Sequence, residues 1–178
     1  NILTILDTVN SSQKQCFTYD ALNRLTRGTT TNDSDPAKQC GTTQLGNGNY
    51  DQSTTYDAAT GNLSSKAGVG YTYGDTNHEH AVTQVGSNTY SYDANGNQVT
   101  RMVGSDTYDL TYDVENRLVE VKKNNTTIAL FVYDADGNRV KSTLSTITTA
   151  FIGNHTEWEV GSGNMTRYYY ASSTRVAM

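Results

Sequence analysis

Between Phe131 and Val140 the chain reads FVYDADGNRV: an apolar run closing on Tyr-Asp, a turn, and an Asn-Arg pair that opens a second apolar run. The same plan returns as YDALNRL from Tyr19, YDAATGNL from Tyr56, YDANGNQV from Tyr92 and YDVENRL from Tyr112. This repeat limits the fold more than any other feature, because one copy cannot bury a core and must lean on its neighbours. Tyrosine starts at 19, 56, 73, 92, 112 and 133 are spaced by 37, 17, 19, 20 and 21 residues, so the first gap spans about two repeats.

Each copy predicts a β-hairpin. In TYDVENRLVEV, Leu110 and Tyr112 alternate with Thr111 and Asp113, the period of two of a strand with one buried face, and that face carries the repeat tyrosines. Tyr19, Tyr56, Tyr92, Tyr112 and Tyr133 are therefore expected to pack the array. Asp20, Asp57, Asp93, Asp113 and Asp134 follow them, placed to accept backbone amides two residues on, while Gly61, Gly96 and Gly137 supply the positive φ of a tight reversal. Arg24, Arg117 and Arg139 start the return strands, where a guanidinium can pair with a nearby carboxylate, an exposed pair contributing about 0 to 1 kcal/mol. Second turns are expected at Gly86-Ser87-Asn88, Gly104-Ser105-Asp106 and Lys122-Lys123-Asn124-Asn125.

The predicted domain is one array over 1–178 with about seven or eight hairpins, a polar loop or insertion at 28–49 and a looser stretch over 143–178. Ile128 to Asp134, apolar on both faces, is expected to be the best-buried strand. Thr, Ser, Asn and Gly with a single proline indicate strands and turns with almost no helix. Mean hydropathy of -0.63 is low, but a net charge of only -5 and 13 tyrosines argue for an ordered chain in which tyrosine is the core material.

An acidic balance without a run of Lys or Arg excludes a nucleic-acid partner, and no apolar window is long enough for a membrane-spanning helix. Cys16 and Cys40 are read as one disulfide in an oxidising, extracellular or cell-surface setting, with a theoretical gain of about 3.5 kcal/mol. Seven Asn-x-Ser/Thr sites, at Asn10, Asn32, Asn62, Asn124, Asn125, Asn154 and Asn164, accept glycans in a host that attaches them.

The Tyr-Asp units with their Gly-Asn-Arg turns, together with HAVTQV from His80, resemble the YD-repeat or Rhs family: bacterial Rhs polymorphic toxins, the C components of insecticidal toxin complexes, and animal teneurins. The resemblance runs from Tyr19 to Met178, and FIGNHTEWE and RYYYASSTRVAM look like the stretch before that family's associated core. It implies hairpins that spiral into a hollow shell with tyrosines packing the wall, a shell that encloses a toxin or displays an adhesive surface. Self-processing members carry beyond this point an aspartyl autoprotease core and a variable toxic domain, and neither follows Met178. The chain is thus expected to be a piece of wall, with neighbouring repeats or copies of itself as partners.

Chemistry is expected to be absent: no enzyme activity, cofactor or metal. His78-Glu79-His80 would place two histidines on one face of a strand, but no third ligand for zinc is evident. Asp134-Ala-Asp136-Gly137-Asn138 resembles the start of a calcium loop, yet the glutamate an EF-hand needs six residues beyond the glycine would fall at Thr143. No GxSxG elbow is present, and the repeat aspartates are better explained as turn acceptors than as a glycosidase pair. Trp158, Tyr168, Tyr169 and Tyr170 are the candidate contacts for cell-surface glycans or proteins. Three functions stand: an extracellular wall segment, a filament built by edge-strand pairing, and a carbohydrate- or protein-binding adhesion module. Thiol titration of the denatured, unreduced chain is expected to find no free sulfhydryl; two would remove the bridge.

Overall fold

The computed structural model describes residues 1–7, 13–31 and 50–178, and every regular element among them is a β-strand. Residues 32–49, with Cys40, lie outside this set, so the Cys16–Cys40 bridge and most of the polar 28–49 insertion do too. Gly28 to Thr31, expected in that insertion, are instead the end of a strand.

The chain divides into two compact units, Asn1–Gly86 and Ser87–Met178. The first holds β1 Thr4–Asp7, β2 Gln13–Tyr19, β3 Leu25–Thr31, β4 Asp51–Tyr56, β5 Leu63–Lys66, β6 Val69–Thr72 and β7 Gln84–Val85, each antiparallel to the next. In the second, β8 Asn88–Tyr92, β9 Gln98–Val103, β10 Asp106–Tyr112, β11 Leu118–Lys123, β12 Thr126–Tyr133, β13 Arg139–Leu144, β14 Ile147–Ile152, β15 Thr156–Val160 and β16 Met165–Arg167 form an antiparallel meander of their own. β17 Tyr169–Ala171 and β18 Thr174–Ala177 form a separate two-stranded ribbon. The looser stretch from 143 therefore keeps the hairpin plan.

Two kinds of turn alternate. At one end of the strands sit the Tyr-Asp turns, each preceded by a register shift immediately before its tyrosine, at Thr18/Tyr19, Thr55/Tyr56, Ser91/Tyr92, Thr111/Tyr112 and Val132/Tyr133. At the other end, two-residue reversals join β5 to β6, β9 to β10, β11 to β12 and β13 to β14. Three residues join β14 to β15 and four join β15 to β16. Ala67-Gly68 and Asn124-Asn125 have both φ positive, as primed hairpin turns require. Lys122 and Lys123, expected in the latter turn, close β11 instead, because the turn needs only the two asparagines that tolerate the left-handed region. Tyr73 does not begin a hairpin of the repeat type: β6 stops at Thr72, and Tyr73 to Thr83 form an irregular loop.

In the second unit, side-chain burial is that of a sheet lacking a second layer. Among the described residues only Cys16 and Ala129 are buried hydrophobics. β12, the strand expected to be best buried, covers one face only: Ala129 is buried, while Leu130 and Val132 on the other face are 43% and 42% exposed. Its apolar composition had suggested a layer on each side, and nothing in this unit lies over the second.

The left-handed position of the Tyr-Asp turn holds Asn23, Gly61, Gly96, Asn116 and Gly137, with φ between 61° and 83°. An added Cβ at Gly137 would meet nothing nearer than the Arg117 Nη1 at 3.9 Å, so replacement costs backbone strain rather than a clash. Gly137→Ala is expected to destabilise by about 1 kcal/mol, lowering the thermal midpoint by roughly 2–4 °C, and Gly137→Asn by clearly less. Thermal unfolding followed by circular dichroism checks both, and equal losses for Ala and Asn would contradict the assignment.

Candidate functional site

The repeat residues converge on two contacts, one inside each turn and one between successive turns. Inside the turn, the aspartate works three ways. Asp113 donates its backbone N–H to the Arg117 carbonyl at 3.0 Å, and its carbonyl accepts the Asn116 N–H at 3.0 Å. Its Oδ1 accepts the N–H groups of Glu115 and Arg117, both at 2.9 Å, and its Oδ2 accepts Arg117 Nε at 2.7 Å. Asp20 repeats this set with Leu22 and Arg24. At Asp93 and Asp134 the fourth residue on is Asn97 or Asn138, whose Nδ2 reaches Oδ2 at 3.0 and 3.2 Å. Arg139 stands one place later than Arg117 does, so it makes no ion pair among the described residues and lies 4.9 Å from the Phe151 ring centre. A loop-start for calcium at Asp134 is thereby accounted for: the carboxylate is taken up by its own turn.

Between turns, the tyrosine is the clasp. Tyr56, Tyr112 and Tyr133 donate their hydroxyls to the carbonyls of Leu25, Gln98 and Leu118, at 3.0, 3.1 and 3.0 Å, and each acceptor opens the return strand of the preceding repeat. Tyr19 donates its hydroxyl to the carbonyl of Ile2, ahead of β1, at 2.9 Å. Where arginine fills the turn, its guanidinium also lies over the next tyrosine: Arg24 over Tyr56 at 4.3 Å and Arg117 over Tyr133 at 5.1 Å. Such contacts contribute on the order of 0.5–1 kcal/mol at exposed sites. The turns also touch directly, Asn95 and Asn97 both donating to Asn116 Oδ1. Sequence reading named the tyrosine, the aspartate and the pairing of Arg24 and Arg117 with a carboxylate, but gave Arg139 the same role, which Asn138 fills four residues after Asp134 as Asn97 does after Asp93.

The aromatic candidates near the C-terminal end do not gather into one site. Trp158 and Glu157 are neighbours on β15 and so face opposite ways. Tyr168 donates to Glu157 at 3.0 Å and lies under Arg175, which sets it on the side away from Trp158. Tyr170 is held by the Asn154 carbonyl and the edge of His155, and Tyr169 is 56% exposed. His78 and His80 are in a turn rather than on a strand, and they bond apart: His78 Nδ1 to Asp75 at 2.8 Å, His80 Nδ1 to Asn62 Oδ1 at 2.6 Å. In the first unit a cleft of about 500 Å³ opens beside this turn, lined by Asp57, Leu63, Tyr71, Tyr73, Asp75 and Glu79 among others.

The second unit exposes an apolar face opposite its tyrosines. Val132, Lys141, Ala150, Trp158 and Met165 form one cross-strand row over β12–β16, and Leu130, Thr143, Thr148 and Val160 the next. On β8–β11 the same face is polar, in the row Ser91, Thr100, Asp109 and Lys122. The face changes character along the sheet.

Backbone hydrogen bonds hold the carboxyls of Asp20, Asp57, Asp113 and Asp134 below the ordinary value of 3.8. Groups whose folded pKa lies below the unfolded one contribute stability that is present above the unfolded value and lost as pH falls through the folded one. The thermal midpoint is therefore expected to be flat from neutrality to about pH 5 and to fall steadily below about pH 4. Melting curves by circular dichroism across that range check it; a midpoint unchanged well below the carboxylate range would show that the turns do not depend on the ionised aspartates.

No protein-family model and no curated relative matches the chain. Among solved structures, it is similar to a crystal structure of TcdB2-TccC3-TEV, at 15% identity over 84% of this chain with a TM-score of 0.41. The chain spans 7% of the length of that structure's chain.

Proposed function

We propose that the chain is a structural wall segment of a larger YD-repeat shell, one that encloses a toxin or presents an adhesive surface outside the cell. The observation that carries this is the apolar second face of β12–β16, where Leu130, Val132, Ile152, Trp158, Val160 and Met165 are between 39% and 57% exposed. Exposed apolar side chains gathered on one face of a sheet mark a contact with protein, membrane or ligand, and further repeats of a wall supply the first. The tyrosine clasps run from each repeat to the one before, which suits a wall extended by further repeats.

Sedimentation and electron microscopy of the purified chain, with hydrophobic-dye binding, test it. The expected result is a discrete species that binds dye, with Val132→Asp and Trp158→Asp each cutting dye binding by about half while the strand signal in circular dichroism holds. Long polymers with an axial repeat of one chain would replace the wall segment by a filament. A specific glycan-array signal abolished by Trp158→Asp would replace it by an adhesion module.

A further inference from the structure

At two seams of this chain a guanidinium sits between the aspartate of one repeat and the tyrosine of the next. Arg24 Nε bonds Asp20 Oδ2 at 2.7 Å with its plane over Tyr56, and Arg117 Nε bonds Asp113 Oδ2 at 2.7 Å with its plane over Tyr133. The turn at Asp57 shares a cleft with Tyr73, a tyrosine outside the repeat plan, and no arginine lines that cleft. The residue before the return strand of this turn is Asn62. Unlike Asn97 and Asn138, Asn62 turns away from its aspartate: its Nδ2 donates to the Glu79 carbonyl at 2.7 Å and its Oδ1 accepts from His80.

Two groups are left over. Asp57 accepts the Ala59 N–H, the Thr60 N–H and the Thr60 hydroxyl on Oδ1 alone, so Oδ2 has no hydrogen-bond partner among the described residues. The Tyr73 hydroxyl is likewise unpartnered there, where Tyr56 and Tyr133 are clasped. Both line the cleft of about 500 Å³, a volume within the ordinary range of ligand sites. Asp75 and Glu79 also line it, and no lysine or arginine does. The Glu79 carboxylate has no partner within the described residues, and His78 holds Asp75 ionised.

We propose that this cleft binds an arginine side chain presented by a partner polypeptide, the guanidinium donating to Asp57 Oδ2 with its plane against Tyr73, and Glu79 and Asp75 adding charge. The planar fork of arginine matches a carboxylate beside an aromatic face in a way that the compact ammonium of lysine does not. Anions are repelled by three carboxylates. Neutral sugars find acceptors but nothing that answers the charge.

Titration of the full chain with N-acetyl-arginine amide, followed by NMR, tests this, with the matching citrulline and lysine compounds and a methyl glycoside as controls. Arginine is expected to shift the signals of Gly61, Tyr73 and Glu79 and to saturate in the millimolar range, and citrulline to bind about tenfold more weakly or less. Glu79→Gln, which removes no internal contact, should weaken arginine binding several-fold, and Tyr73→Ala more. Equal binding of arginine and citrulline, saturable binding of the glycoside instead, or no saturation by arginine in a chain whose spectrum shows it folded would each overturn the proposal.

Discussion

A carboxylate turned back into its own reversal is the interaction on which the rest depends. Each Tyr-Asp turn has several backbone amides that face inward with no strand partner, and leaving such donors unmet costs more than a typical hydrogen bond contributes. One aspartate meets two of them with Oδ1 and leaves Oδ2 for a donor four residues on. That second oxygen couples local structure to neighbours. When the donor is Arg117, its remaining guanidinium surface extends to the Asp134 carbonyl and the Tyr133 ring of the following repeat. When it is Asn97, the same amide continues to Asn116 of the following turn. Turn and seam are thus one network seen from two sides.

A sheet built this way has no interior in the usual sense. Apolar side chains on the tyrosine face shelter one another along the stack, and polar threonine and serine populate much of the rest, which fits the low mean hydropathy of -0.63. Stability then comes from many equivalent small contacts rather than from a few deeply buried side chains. The exception is the apolar stretch of the second face, around Val132 and Trp158, where the one-layer plan leaves surface that water does not favour.

The repeat made the hairpins legible before any coordinates, because Tyr-Asp, the left-handed Gly or Asn and the alternating strands each point to the same local geometry. The register shift that precedes the tyrosine in the five Tyr-Asp hairpins was not read from the sequence, since alternation of side chains does not announce a bulge. What else could not be read was long-range. For the clasping hydroxyls of Tyr19, Tyr56, Tyr112 and Tyr133 the acceptor is a backbone carbonyl 14 to 31 residues earlier, and a carbonyl has no residue identity to betray it. Tyr73 failed as a repeat start because Gly74 separates it from Asp75, which moves the carboxylate out of the turn and onto His78. Arg139 looked equivalent to Arg117 until the aspartates were superposed, when Asn138 took its slot. Burial of β12 was overestimated from composition alone, since apolar residues on both faces say nothing about whether a second layer exists.

The clasps also give the stack a direction in time. In every one, the hydroxyl belongs to the later repeat and the carbonyl to the earlier, so a chain made from its amino end has each acceptor in place before its donor appears. Successive hairpins can dock on a finished edge, one at a time, with short loop closures and little need for distant segments to find each other. A long array with this polarity grows like a ratchet, and the vulnerable species at any moment is only its last, unclasped hairpin.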